Sequence, residues 1–177
     1  MTVEVSRYAL EFRARRGDAL RAALDRFRSE DRTLPPGLQA VEAQLAMPFE
    51  HRAAAAYGAS RGARVAAIGD SEVSRERLGL FEREVLDPGN LARLAASPQP
   101  SLAEAVQRER RRAEQQWRQG PPLGSEEQAR IAATDRRVAA ELRGRLGDGG
   151  LVHVGGWEHL SGLGARLGDL GVEVRLI

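Results

Sequence analysis

The sequence predicts an α/β fold: a mostly parallel sheet of about four strands flanked by helices, with a helix-rich insertion between the second and third strands. Three observations point there. Short apolar runs, too brief for helices, end at glycines, as in Leu151-Val152-His153-Val154-Gly155-Gly156 and Ala63-Arg64-Val65-Ala66-Ala67-Ile68-Gly69. Segments with apolar residues at helical spacing lie between them, among them Leu160, Leu163, Leu167 and Leu170. The two patterns alternate along the chain, which implies βαβ units with right-handed crossovers.

Taken in order, Thr2 to Ser6 is rich in β-branched residues and reads as a strand with Glu4 in it or near its end. Tyr8 to Arg28 carries Leu10, Phe12, Leu20, Leu24 and Phe27 and reads as a helix interrupted at Gly17. After a loop closed by Pro35-Pro36, Leu38 to Tyr57 is a second helix, kinked or split at Met47-Pro48. Ala63 to Ile68 is the second strand, ending in the turn Gly69-Asp70-Ser71. Val73 to Val85 is helical, and Asp87-Pro88 opens a short helix to Leu94. Ser101-Leu102-Ala103-Glu104 fits a capping box for a highly charged helix to about Gln119. Gly120 to Gly124 breaks it, and Ser125-Glu126-Glu127-Gln128 reads as the cap of a helix to Leu146, with Ile131, Val138 and Leu142 on one face. A strand beginning near Gly149-Gly150, a helix to Leu170 and a last strand from Val172 to Ile177 complete the chain.

Composition narrows the function classes. With 177 residues, 42% hydrophobic and 29% charged, the chain has the profile of one soluble α/β domain spanning 1–177. All 27 basic residues are arginines, so the pI near 9.8 reflects side chains that do not deprotonate rather than a basic surface. Formal net charge is only +2, and arginines alternate with Glu and Asp, so no nucleic-acid partner is expected. Without cysteine, disulfides, zinc fingers and thiol catalysis are excluded. No apolar stretch is long enough for a membrane span, and Met1-Thr2-Val3-Glu4-Val5-Ser6 is not a signal peptide, so a cytoplasmic location is expected.

The chemistry-bearing residues cluster at strand ends, where open α/β sheets bind ligands. His159 follows the third strand and its Gly155-Gly156 pair, in position to act as a general base, a metal ligand or an anion contact. Glu4 and Asp70 are its carboxylate partners at the ends of the first and second strands. A buried Glu4 needs a partner, whereas an edge strand would leave it exposed; Asp70 fits an N-cap at least as well. His153 reads as a buried, hydrogen-bonded strand histidine, His51 as a surface or interhelix residue, and Trp157 as a core plug in preference to a cover over a ligand. Backbone N–H groups of Gly155 and Gly156 are candidates to hold a small molecule or anion. Dinucleotide, Walker and nucleophile-elbow patterns are absent.

The run Gly156-Trp157-Glu158-His159, a Gly-x-x-His motif followed by an apolar helix and a strand, resembles the C-terminal segment of the TraB/PrgY/GumN–Tiki-like group. That group is related to erythromycin-esterase-like and ChaN-like proteins. Asp135-Arg136-Arg137-Val138-Ala139-Ala140 resembles the helix before that strand, Ala63 to Asp70 the central strand, and Thr2 to Ser6 an early strand with a functional glutamate. The resemblance implies a hydrolase, with His159 and Glu4 as ligands of a divalent metal or as acid and base, and Asp70 as a supporting or third ligand. Members pair two Gly-x-x-His motifs. The first has no counterpart here, so an N-terminal strand-helix unit is expected to be missing, with a homo-oligomer covering the sheet edge thus bared. The alternative is a non-catalytic module that binds a small molecule or a protein.

Overall fold

A computed structural model describes residues 1–147 and 150–176. Gly149, the first glycine of the run before the third strand, and Ile177, the end of the expected last strand, lie outside the described residues. The chain forms two compact units. One, the sheet unit, comprises residues 1–4, 54–68 and 108–177; the other, the helical unit, comprises 5–53 and 69–107.

The sheet unit holds three short strands: β1 (Thr2–Val3), β2 (Ala66–Ala67) and β3 (His153–Val154). Their order is β2-β1-β3, and both pairings are parallel, with Thr2 opposite Ala66 and His153. The ladder extends past the strand ends, from Glu4 N to Val154 O and from Ile68 N to Val3 O. The first strand is therefore central, with neither edge bared, and Glu4 is not on an edge strand. The expected fourth strand is not among the described elements: residues 172–176 form none. Val174 instead lies against Gly164 of α8 (Leu160–Leu167), so this segment rests on a helix rather than on the sheet edge.

Helix α7 (Ser125–Arg145) covers this unit's interior with Val138, Ala139 and Leu142, which pack with Ile68, Leu163 and Leu167. Arg137, on the same helix, donates to the Ile68 carbonyl at 2.7 Å and so satisfies the end of β2. The cap expected at Ser125 is not made. Gly124 occupies that position without a side-chain bond, and Ser125 is already helical. The rest of the unit is the C-terminal part of α3 (Phe49–Arg61), that of α6 (Leu102–Gln116), and a 3₁₀ turn at Trp157–His159.

The helical unit is built from α1 (Arg7–Ala22), α2 (Pro36–Leu45), α4 (Ser71–Leu80) and α5 (Pro88–Ala96), with a π-helical turn at Phe81–Val85. Leu24, Leu34, Leu38, Val41, Leu45 and Leu91 form its core. Gly17 does not interrupt α1. It is buried where the helix passes the Leu45 carbonyl, and a Cβ there would stand 2.9 Å from that oxygen. Met47-Pro48 does split the second expected helix, into α2 and α3. The capping box of α6 is complete: Ser101 N donates to Glu104 Oε2 at 2.8 Å, and Glu104 N returns to Ser101 Oγ at 3.3 Å. Among the described residues, four α-helices and the π-helical turn lie between β2 and β3, the insertion that the sequence predicts.

Candidate functional site

Three side chains converge at the carboxyl ends of β1 and β3, all within the sheet unit. Glu4 follows the central strand, and its backbone N–H is held by Val154 O at 2.9 Å. The ladder fixes the backbone at Glu4, and two contacts of the carboxylate itself fix the side chain. Its Oε2 accepts from Gly156 N at 3.0 Å, and its Oε1 lies 3.2 Å from His159 Nε2. The second ring nitrogen, His159 Nδ1, lies 2.6 Å from Asp135 Oδ1. His159 thus sits between two carboxylates, and the doubly protonated ring is the form that donates to both.

Asp135 is the residue that sequence reasoning left out of the site. It is 4% exposed in the middle of α7. Its position on the helix was legible: it falls four residues after Ile131 and three before Val138, on the stripe that faces the interior. A charge placed on an apolar stripe needs a buried partner, and His159 is that partner. Gly162 makes room for it, since a Cβ on Gly162 would overlap the Asp135 carboxylate.

Neither glycine of the pair serves a left-handed turn. Gly156 has φ −63°, a conformation open to any residue, and Gly155 is not among the positive-φ glycines. What Gly155 supplies is space. A Cβ there would stand 2.6 Å from Glu4 Oε2 and 2.9 Å from His153 Nε2. At Gly156 the Glu158 carboxylate takes the same kind of space, 2.8 Å from a would-be Cβ. Gly156 N–H, expected to be offered to a ligand, is given to Glu4.

Burial raises the Glu4 carboxyl above the usual carboxylate range; the His159 charge and the Gly156 N–H pull it back, while Glu158 and Asp135 push it further up. His153 is lowered to about 4, first by burial and then by the positive charge of His159. Its Nδ1 is 3.0 Å from Thr2 Oγ1 across the β1–β3 pairing, but its buried Nε2 has no hydrogen-bond partner among the described residues. The expectation of a satisfied strand histidine therefore holds for only one of its nitrogens.

No family model, curated protein or solved structure matches the chain. The other site candidates fall as follows. Asp70, in the helical unit, is exposed, and its Oδ1 accepts from Glu72 N at 2.9 Å and Val73 N at 3.2 Å as the N-cap of α4. Trp157 is half-buried and not a core plug; its Nε1 donates to Glu109 at 2.7 Å, with Arg112 5.5 Å from the ring centre, so it reaches the charged face of α6. Among the described residues, no group of three or more His, Asp or Glu is arranged to hold a metal ion. None of the described helices is long and apolar enough to cross a membrane.

Proposed function

We propose that this chain is a hydrolase whose chemistry runs through Glu4, with His159 and Asp135 holding that carboxylate in its working state. The observation that carries the reading is the 3.2 Å approach of Glu4 to a histidine whose other nitrogen is fixed by a buried aspartate. A carboxyl raised above its usual range by burial, with an imidazole 3.2 Å away, is suited to take and return a proton. In the proposed step Glu4 accepts a proton from water as the water oxygen bonds to an electrophilic carbonyl carbon. The bond to the leaving group then breaks, and the proton passes from Glu4 to that group. Asp135 fixes the His159 ring, and His159 offsets the charge that burial disfavours.

A divalent metal held by His159 and Glu4 is a second form of this reading. The Asp135–His159 pair has the carboxylate–histidine arrangement that orients metal ligands elsewhere. For a metal to bind, His159 Nε2 has to exchange its contact with Glu4 for the ion. Elemental analysis of the purified chain beside His159→Ala decides between the forms: metal present in the first and lost in the second supports it, and unchanged content removes it. The alternative of a backbone-lined binding module draws less support, because Gly156 N–H is already taken by Glu4.

The test is turnover of a panel of para-nitrophenyl esters. Glu4→Gln keeps the shape and the acceptor for Gly156 N but cannot accept a proton, and should lower kcat by at least about 100-fold. Turnover unchanged in that variant would overturn the assignment.

A further inference from the structure

We infer that His153 Nε2 and Glu4 Oε2 together hold one water molecule, and that this is the water consumed in the hydrolysis proposed above. The inference rests on that reading for the reaction and on independent geometry for the water.

The geometry begins with the strands. His153 and Thr2 are register partners on β3 and β1, and the Thr2 hydroxyl meets Nδ1 at 3.0 Å. Thr2 is almost fully buried, so the imidazole is pinned in the sheet and cannot swing its other nitrogen to solvent. Nε2 is itself buried, with no partner among the described residues. A buried nitrogen of this kind is satisfied in nearly all proteins, by protein or by an ordered water. Among the described residues, no side chain or backbone group takes that role.

Gly155 brings Glu4 Oε2 to the same place. Both atoms crowd one point, the position of a Cβ on Gly155, at 2.9 Å and 2.6 Å. Two groups so placed can be bridged by a single water. The glycine keeps them together; any side chain there would drive them apart. Glu4 Oε2 already accepts from Gly156 N, but a carboxylate oxygen has a second lone-pair site. The Glu4 side chain is 15% exposed, so a substrate has access on that side.

The proposed water requires one tautomer of His153. With Nδ1–H donating to the Thr2 hydroxyl, Nε2 presents a lone pair and accepts one water proton. Glu4 Oε2 accepts the other. The water oxygen then keeps its lone pairs free for the carbonyl carbon. When the bond to carbon forms, the proton on the Glu4 side moves to the carboxylate, and His153 retains its hydrogen bond without taking a proton. His153 is therefore a positioning residue, and its own charge state does not change.

The test uses the full chain, para-nitrophenyl acetate and two variants. His153→Phe removes the acceptor; His153→Gln returns one near the Nε2 position. In a high-resolution crystal structure, wild type should show an ordered water within hydrogen-bond distance of both His153 Nε2 and Glu4, and ¹⁵N NMR should report the Nδ1–H tautomer. The His153→Phe variant should lose the water and about 100-fold in kcat, as misplacement of a reacting group does. KM and the midpoint of the pH–rate profile should stay unchanged, because Glu4 still titrates. His153→Gln should recover at least about tenfold of that loss. Glu4→Gln should lower kcat by at least about 100-fold yet keep the water. A wild-type site without that water, or His153→Phe with wild-type kcat, overturns the inference and leaves the hydrolase reading standing. Bound water in a chain that turns over no ester does the reverse: the shared water site stands and the hydrolase reading falls.

Discussion

The two units of this chain spend their buried space differently. In the helical unit the core is leucine and valine, and the buried polar side chain, Ser6, is an N-cap whose hydroxyl accepts from Ala9 N. That is the low-cost way to bury a polar atom, since it satisfies a helix N–H that would otherwise lack a partner. In the sheet unit a smaller core shares its interior with Asp135 and His159, and with the half-buried Glu4 and His153. Buried ionic groups contribute little net stability even when paired, and breaking one partner away is costly. The proposed function draws on this contrast: carboxylates and imidazoles lie inside where a cap or an apolar residue would serve stability at lower cost.

The strongest way to break that contrast is at Gly162. A Cβ there would overlap the Asp135 carboxylate, which is buried in the sheet unit and held by His159. Gly162→Ala should force the Asp135–His159 contact apart and cost about 3 kcal/mol or more, as severing a buried pair does. Gly144, also in a helical segment of this unit, has nothing within 4 Å of a would-be Cβ. Gly144→Ala should instead stabilise by up to about 1 kcal/mol through helix propensity. Urea unfolding followed by tryptophan fluorescence reads both, because Trp117 and Trp157, the two tryptophans, lie in the sheet unit. Equal midpoints for the two variants would remove the claim that Asp135 is locked in place.

The next effect is acid lability confined to one unit. His153 is lowered to about 4 in the folded chain, against about 6.5 when unfolded. Its contribution to stability is therefore present above about pH 6.5 and lost as pH falls toward 4, by at most about 3 kcal/mol. Glu4 works in the opposite sense: its raised carboxyl favours the fold at low pH, and that favour disappears as pH rises through its folded value. Tryptophan fluorescence should show the sheet unit weakening on acidification, and His153→Gln should flatten that dependence. A variant whose urea midpoint falls with acid as steeply as wild type would show that another group carries the effect.

These residues also mark what the sequence discloses and what it withholds. The strand-end location of Glu4 and His159 was legible, because short apolar runs that stop at Glu or glycine leave few other readings. Asp135 was visible in principle as the charge on the Ile131–Val138–Leu142 stripe, but periodicity alone does not say which partner a stripe charge meets. The position of β1 at the centre of the sheet is a long-range fact: parallel partners 64 and 151 residues away in sequence decide it (Thr2 with Ala66 and with His153). The tail from Val172 alternates as a strand would. Only packing of Val174 on Gly164 shows that it belongs to a helix surface. The cap at Asp70 and the site at Glu4 look alike in sequence, each an acidic residue just past a short strand. What separates them is depth.

That separation can be sharpened with Asp70 itself, where the expected effect is smallest. Its carboxylate accepts from two N–H groups at the start of α4 and is exposed. Asp70→Ala removes the cap and should cost about 1 kcal/mol. Asp70→Asn keeps an acceptor in place and should cost less than half of that, because Asn caps about as well as Asp. Neither should change ester turnover by more than about twofold, whereas Glu4→Gln should lower it at least about 100-fold, since burial raises the Glu4 carboxyl. A large loss of turnover in Asp70→Asn with stability intact would move Asp70 from the helix cap into the reacting site. It would also show that depth is not what separates the chemistry of the two units.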